Sequence, residues 1–477
     1  MNYLILAVSA LFLITGTHKE TTEDKKRLTI ADKAPLIIEE ITAPFKMPQL
    51  KRPEFPNRLL NILEYGAKGD SVSLNTNAFK KAIEACYTAG GGKVIVPSGK
   101  WLTGAIHLKS NVNLHFEEGA EIHFSTNPDN YLPVVFTRWT GFELYNYSPL
   151  IYAKDCENIA VTGPGKLFGH GESWWKWEMA GEETAWRVYY EQVLKDVLPD
   201  KRVYGTPEAG FRPQFINPVN CKNVLFEGFT IVTPGPFWTF DILYCENVIV
   251  RGLKLNTVGG PNTDGINLNS SKNVLVEYCH INSGDDCIAF KSGLNEDGWR
   301  VARPTENVVI RNIYGLRSHG GIVIGSEMSG GVRNIYAHDC EFNGAERGIR
   351  LKSNASRGGI VEKIWYENIT MKNMSGEAIR INTNYGAYMA DEGGTAYPVF
   401  REINIKNIKC DGAQVALSMM GTSHKPIEDI TLENISIKAE TGMKFNWVNN
   451  LELKNVSSIP LQGKSVVFEN CKNVVTK

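Results

Sequence analysis

No stretch of this chain is apolar for long enough to cross a bilayer, which takes about 18 residues or more as a helix. The run from Tyr3 to Ile14 in "MNYLILAVSALFLITGTHKE" is too short, and no other segment comes near it. An excess of one charge is also missing. With 51 basic against 52 acidic residues the formal net charge is −1, so no overall field gathers nucleic acid or an anionic membrane. Polyanion binding has to come from local placement of Lys and Arg. The nine cysteines are odd in number, widely spread and include no CxxC pair. That excludes a zinc ribbon and a disulfide-rich scaffold, and leaves them to be read as small buried hydrophobes. Gly-rich phosphate loops, metal-ligand clusters and nucleophile elbows are absent, so neither cofactor nor metal is expected.

What is present is repetition. From Glu157 onward one phrase recurs: "ENIAVTG", "KNVLFEGFTI", "ENVIVRGLKL", "KNVLVEYCHI", "ENVVIRNIYG", "EKIWYENITM" and further copies. A second short segment often follows, as in "DGINLNS", "DCIAFKS", "GGIVIGS", "RGIRLKS" and "EAIRINT". β-Branched residues at period two, cut by Gly and Asn turns, read as strands. Self-similarity at about 24–34 residues means a solenoid, and strands rather than helices make it an all-β, single-stranded parallel β-helix.

The remaining segments take places around that body. Residues 1–20 read as a secretory signal peptide with Tyr3–Ile14 as its apolar centre, and residues 21–55 as an extended lead-in. Residues 56–477 form the β-helix domain. "NTNAFKKAIEACYTAGGG" supplies an N-terminal capping helix, with Asn75 or Thr76 as its cap, Ala78, Phe79, Ala82, Ile83 and Cys86 as the apolar stripe, and Gly90 as its end. "KVIVPSG" is the expected first strand. Residues 169–212, with Trp174, Trp175 and Trp177, break the repeat. They are long and aromatic enough either to pack as a local helix on the barrel or to act as a wall or lid.

Three aspartates fall in two clusters at the start of consecutive second strands: Asp264 in "NTDG", and Asp285 with Asp286 in "GDDC". Asp264 and Asp285 are expected at equivalent corners of adjacent coils, with Asp286 turned to the same side after Gly284. So close together, three carboxylates cannot all ionise cheaply. One should keep its proton while its neighbours stay charged, the split that glycoside hydrolysis uses. The next coil brings His319 in "SHGG", and the one after brings Arg350 and Lys352 in "RLK", two apart on a strand and therefore on one face. Each member alone is ordinary, an Asp–Gly turn or a solvated cation; their succession over four repeats is the specific signal.

Those four motifs, together with "NILEYGAKGD" and "GGGKVIVPSGKWLTGAIHLKSNVNLHFEEGA", resemble the polygalacturonase family, glycoside hydrolase family twenty-eight, over nearly the whole chain. Ser318 and Leu351 are mild departures, standing where the family more often has Gly and Ile. The resemblance implies a right-handed parallel β-helix and inverting hydrolysis of pectic polymers. It implies Asp285 as general acid, Asp264 and Asp286 as the residues that orient and deprotonate water, and His319 as a tuner of their protonation. Asn262 belongs to the first motif, and Arg350 and Lys352 would hold a galacturonate carboxylate at the leaving-group subsite, with Tyr385 as a candidate for stacking on that sugar. "SHGGIVIGSEMSGG" resembles bacterial members that release terminal units, and the insertion would close one end of the groove. The expectation is therefore an exo-acting monomer, secreted or periplasmic, with pectic polysaccharide as its partner and no binding to nucleic acid or membrane. Alternatives are a hydrolase of rhamnogalacturonan or substituted galacturonan, a Ca²⁺-dependent pectate-lyase-type β-helix, and a non-enzymatic adhesin.

Overall fold

The computed structural model describes residues 29–386 and 394–477; the expected signal segment lies outside them. Parallel pairing dominates, in one 20-stranded and one 12-stranded sheet, with a single antiparallel hairpin, Val135–Trp139 and Phe142–Asn146, beside them. The chain is a right-handed parallel β-helix. In the middle of the molecule each coil uses one long strand for two faces and one short strand for the third. Lys272–Ser283 pairs with Glu246–Arg251 through its first half and with Lys254–Thr257 through its second, bending at Tyr278, where φ is +53°.

Two devices hold the coils in register. The first is the asparagine of the repeated phrase. Asn158, Asn223, Asn247, Asn273 and Asn307 all take positive φ of 53–58°, a conformation that asparagine tolerates better than most side chains. Each passes a hydrogen bond of about 3 Å from its amide nitrogen to the amide oxygen of the asparagine one coil before. The second device is apolar. On the third face the alternate residues Phe240, Ile266, Ile288, Ile322, Ile349 and Ile379 fall in one inward column. Ile242, Leu268, Phe290, Ile324, Leu351 and Ile381 form the next inward column. All are buried, and each contributes about 1.5–3 kcal/mol of burial. Eight of the cysteines are buried and unpaired, with Cys471 partly exposed.

The capping helix is Thr76–Thr88, and its five expected core residues are its five buried residues. Asn75 stands at the N-cap position, as expected, but its side chain does not cap the first turn. Asn75 spends its side chain on Lys68, Ser73 and Leu102, and Thr76 Oγ1 accepts from Gly104 N, so both tie the helix to neighbouring strands rather than to its own first turn. "KVIVPSG" is not the first strand either: Leu59–Asn61 and Asp70–Leu74 come earlier, and Leu59–Asn61 pairs with Lys93–Ile95. Residues 29–55 carry one short 3-10 turn, Ala31–Lys33, and run along the outside of the coils. Ile41 and Leu50 pack there on Leu225, Ile249 and Leu275.

The insertion forms the helical segments Glu172–Trp175, Glu178–Arg187 and Val188–Val193. Trp174 and Trp177 pack edge-on into the main core with Tyr131 and Tyr147, so of the two readings they take the packing one. Val188, Tyr189 and Phe211 back the hairpin through Trp139, Phe142 and Leu144.

The asparagine ladder can be tested at Asn273, which donates to Asn247 at 3.1 Å and accepts from Asn307 at 3.2 Å. Asn273→Ala loses both bonds and must hold a Cβ in the left-handed region, for an expected loss of about 2–4 kcal/mol. Asn273→Gly loses the same bonds without that strain and should be milder by about 1 kcal/mol. Urea denaturation of the two variants checks the order.

Candidate active site

The short strands of the third face make the floor of a cleft, and their register assigns every side chain on it. Asp264, Asp286 and Gly320 each precede by two the paired residues Ile266, Ile288 and Ile322, so they form one column. Trp238 starts that column and Arg347 ends it. One residue earlier runs a second column of Asp285, His319 and Glu346. Asp264 therefore lies level with Asp286, not with Asp285 as the 21-residue spacing suggested, because the coil from Ile266 to Ile288 is one residue longer. Adjacent members are separated by the coil spacing, about 4.8 Å. Gly284 makes this corner possible, since a Cβ there would sit 2.2 Å from Thr263 Oγ1. Gly320 leaves the space into which Asp286 Oδ1 projects, 3.2 Å from where its Cβ would be.

Outward residues further along the strands complete the floor. Arg350 lies two coils beyond Ala289, and Lys352 two coils beyond Lys291. The cleft encloses about 380 Å³, and Asn262, Asp264, Asp285, Asp286, His319, Arg350, Lys352 and Tyr385 all line it. Asn262 takes a positive φ of 55° and accepts from Arg212 through Oδ1 at 2.8 Å, leaving its NH₂ as donor. Arg212 is a buried member of the insertion's last turn and anchors the first motif. The Tyr385 ring borders both cations, with Arg350 Cζ and Lys352 Nζ each 5.7 Å from its centroid.

The three acids have different surroundings. Burial pushes Asp264 well above the ordinary carboxylate range, the charges of Asp285 and Asp286 push the same way, and Lys291 opposes them. Burial also pushes Asp285 up, but the hydrogen bond and charge of His319 outweigh it and hold this carboxyl well below the usual range. The contact is 3.2 Å from His319 Nδ1 to Asp285 Oδ1. In return Asp285 raises His319 to about 9. Asp286 is ion-paired with Lys352 at 3.1 Å and has Arg350 at 3.8 Å, while its Oδ1 accepts no hydrogen bond among the described residues. Burial thus favours the neutral form of Asp264, and the contact with His319 favours the ionised form of Asp285.

Sequence reading missed Lys291, Glu327, Trp238 and Thr140, all of which line the cleft. Lys291 carried a usable signal, since "FKS" ends its strand as "LKS" ends the strand of Lys352. Trp238, in "GPFWTF", carried none.

The hairpin reaches the cleft on the side of the coils before the acids. Arg138 of the hairpin is fully buried and donates to Asn269, Ser270 and Tyr244, which pins the hairpin across the floor of the earlier coils. Tyr244 donates to Glu143, and Asp297 accepts from Glu143 N and from Arg202 of the insertion. Only the hairpin tip, Thr140, reaches the cleft. The insertion stands behind it as a buttress.

Comparison with known proteins converges on one group. A model of glycosyl hydrolases family 28 matches residues 86–450. The "Probable polygalacturonase" of Vitis vinifera is 30% identical over 81% of this chain and 76% of its own length. The exo-poly-alpha-D-galacturonosidase of Dickeya chrysanthemi is 27% identical over 84% of this chain and 72% of its own. Among solved structures, a hyperthermoactive exopolygalacturonase from Thermotoga maritima superposes with a TM-score of 0.81 at 38% identity, covering 87% of this chain and 95% of the other. A match over so much of the sequence, on a fold whose register gathers the family's motifs into one cleft, leaves a single assignment: the chain belongs to glycosyl hydrolases family 28 and is a glycoside hydrolase.

Proposed function

We propose that the protein hydrolyses α-1,4-galacturonosidic bonds of polygalacturonate with inversion, releasing units from a chain end. The observation that carries this reading is the Arg350–Lys352 pair, two coils beyond a three-carboxyl cluster in the same cleft. A neutral polymer gives no reason for two cations at that place, whereas a uronate carboxylate does. Exo action fits the hairpin tip, whose Thr140 lines the cleft beside Trp238 on the side of the earlier coils. The relatives named for exo action point the same way.

Of the three acids, Asp285 is best placed to meet the glycosidic oxygen: its side chain is 20% exposed, against 3% and 2% for Asp264 and Asp286. Its proton comes from His319. A sugar entering the cleft expels water, and desolvation disfavours both charges of the imidazolium–carboxylate pair. The proton then moves across the existing hydrogen bond onto Asp285, which passes it to the leaving oxygen. Asp286 keeps an acceptor oxygen for the attacking water, and protonated Asp264 holds that water by hydrogen bonding. An inverting enzyme needs about 6.5–9.5 Å between acid and base to admit it. The rhamnogalacturonan alternative makes less use of the paired cations. A Ca²⁺-dependent lyase would need carboxylates free to bind the metal, and here Lys291, Lys352 and His319 already stand against them. A polymeric substrate also requires that the enzyme work outside the cytoplasm, secreted or periplasmic, as Tyr3–Ile14 suggests; one chain supplies every group named, so a monomer suffices.

Three outcomes are expected. Asp285→Asn lowers kcat on polygalacturonate by about 10²–10⁴-fold, measured as reducing ends, with no metal added. Product sizing at early times yields galacturonic acid alone; a ladder of oligomers would reject exo action. The His319–Asp285 pair also makes stability depend on pH. His319 rises from 6.5 unfolded to about 9 folded, so its contribution is complete below pH 6.5 and lost as pH climbs through 9. Asp285 is depressed in the fold, so its contribution holds above about pH 4 and is lost on acidification. The Tm difference between wild type and His319→Gln should therefore peak between about pH 4 and 6.5 and shrink on both sides.

A further inference from the structure

The reading above uses one cationic centre, yet the cleft holds two. Lys291 ends the strand Ile288–Lys291 and is nearly buried, although it lines the cleft. Its ammonium lies 3.6 Å from Asp264 Oδ2, 3.3 Å from Glu327 Oε2 and 4.3 Å from the centre of the Trp238 ring. Asp264 and Trp238 belong to the two coils before that of Asp285, whereas Arg350 and Lys352 belong to the second coil after it. Lys291 shares the coil of Asp285 and Asp286 and its ammonium leans towards Asp264 and Trp238, so the two positive centres are offset along the cleft by two coils. Gly325, level with Lys291 and Lys352, keeps the space beside the ammonium clear, since a Cβ there would come within 3.4 Å of Nζ.

The other cations around the cleft have acidic partners of their own: Arg347 pairs with Glu346 and Glu377, and Arg380 with Glu377. Glu327, which burial pushes up and Lys291 and Lys352 pull down further, stays ionised and steadies the ammonium.

We infer that Lys291, braced by Glu327 and Trp238, binds the carboxylate of the sugar on the glycone side of the scissile bond, so that cleavage demands a uronic acid on both sides. The inference rests on the galacturonan reading, and the test separates the two. Digalacturonate is compared with the disaccharide in which the non-reducing galacturonate is replaced by galactose. Wild type should prefer the diacid by about 10–100-fold in kcat/KM. In Lys291→Met that preference should fall below about threefold, and Lys291→Arg should retain most of it. Each ratio comes from one preparation, so a reduced folded fraction cancels. The same ratios, read as Kd in the Asp285→Asn background, need no turnover. Wild type cleaving both disaccharides equally would overturn the inference alone. So would Lys291→Met slowing both while keeping the wild-type preference, which would mean that Lys291 acts only through Asp264. Wild type cleaving neither would overturn the galacturonan reading and this inference with it.

Discussion

Parallel register between coils about 4.8 Å apart is the constraint on which the rest of this protein depends. Asp286, His319 and Lys352 are far apart in the chain and meet only because Ile288, Ile322 and Ile349 stack on one another inside. A slip of one residue in any coil would turn its inward isoleucine to solvent and its outward charge into the core. The asparagine ladder adds a directional lock to that hydrophobic one, since its amide-to-amide bonds form at one register alone. The apolar columns make the slip costly, and the polar ladder selects among stackings of similar burial.

The second organising effect is how charge is kept near the acids. Burial disfavours a charged carboxyl, and it pushes Asp264 up even though Lys291 opposes it. Asp285 is held low instead by the hydrogen bond and charge of His319, while Asp286 lies 3.1 Å from Lys352. The pairing differs in kind. His319 places a shared proton in a hydrogen bond to Asp285, whereas Lys352 faces Asp286 as a compact cation, so the same residue type on neighbouring positions meets two different partners.

Much of this was legible in the chain. Val, Ile and Asn at fixed places in the repeated phrase identified the solenoid, and Ala78, Phe79, Ala82, Ile83 and Cys86 marked the inner side of the capping helix. That Asp264, Asp285, Asp286, His319, Arg350 and Lys352 line one cleft was legible because motif and repeat coincide, each lying just before or within a second strand. The misplacements have physical causes. Asp264 was matched with Asp285 because spacing counts residues, whereas register counts hydrogen-bonded pairs, and the two differ by one at this corner. Asn75 takes the N-cap position that was read for it, but its amide goes to Lys68 and Leu102 instead of the first turn, a competition that local preference cannot see. The tryptophans of the insertion left a packing and a lid reading open, because their size signals burial, not which surface they meet.

By itself the sequence determined the repeat, its strand character and the set of groups available for chemistry, because these follow from side-chain periodicity and residue type. Tertiary structure alone decided which carboxyl burial pushes up, which cation stands beside which acid, and that the hairpin tip at Thr140 reaches the cleft. Those depend on distances across coils and on how much water each group loses, and Arg138, whose buried guanidinium bonds to residues more than a hundred positions away, illustrates why no local reading could supply them.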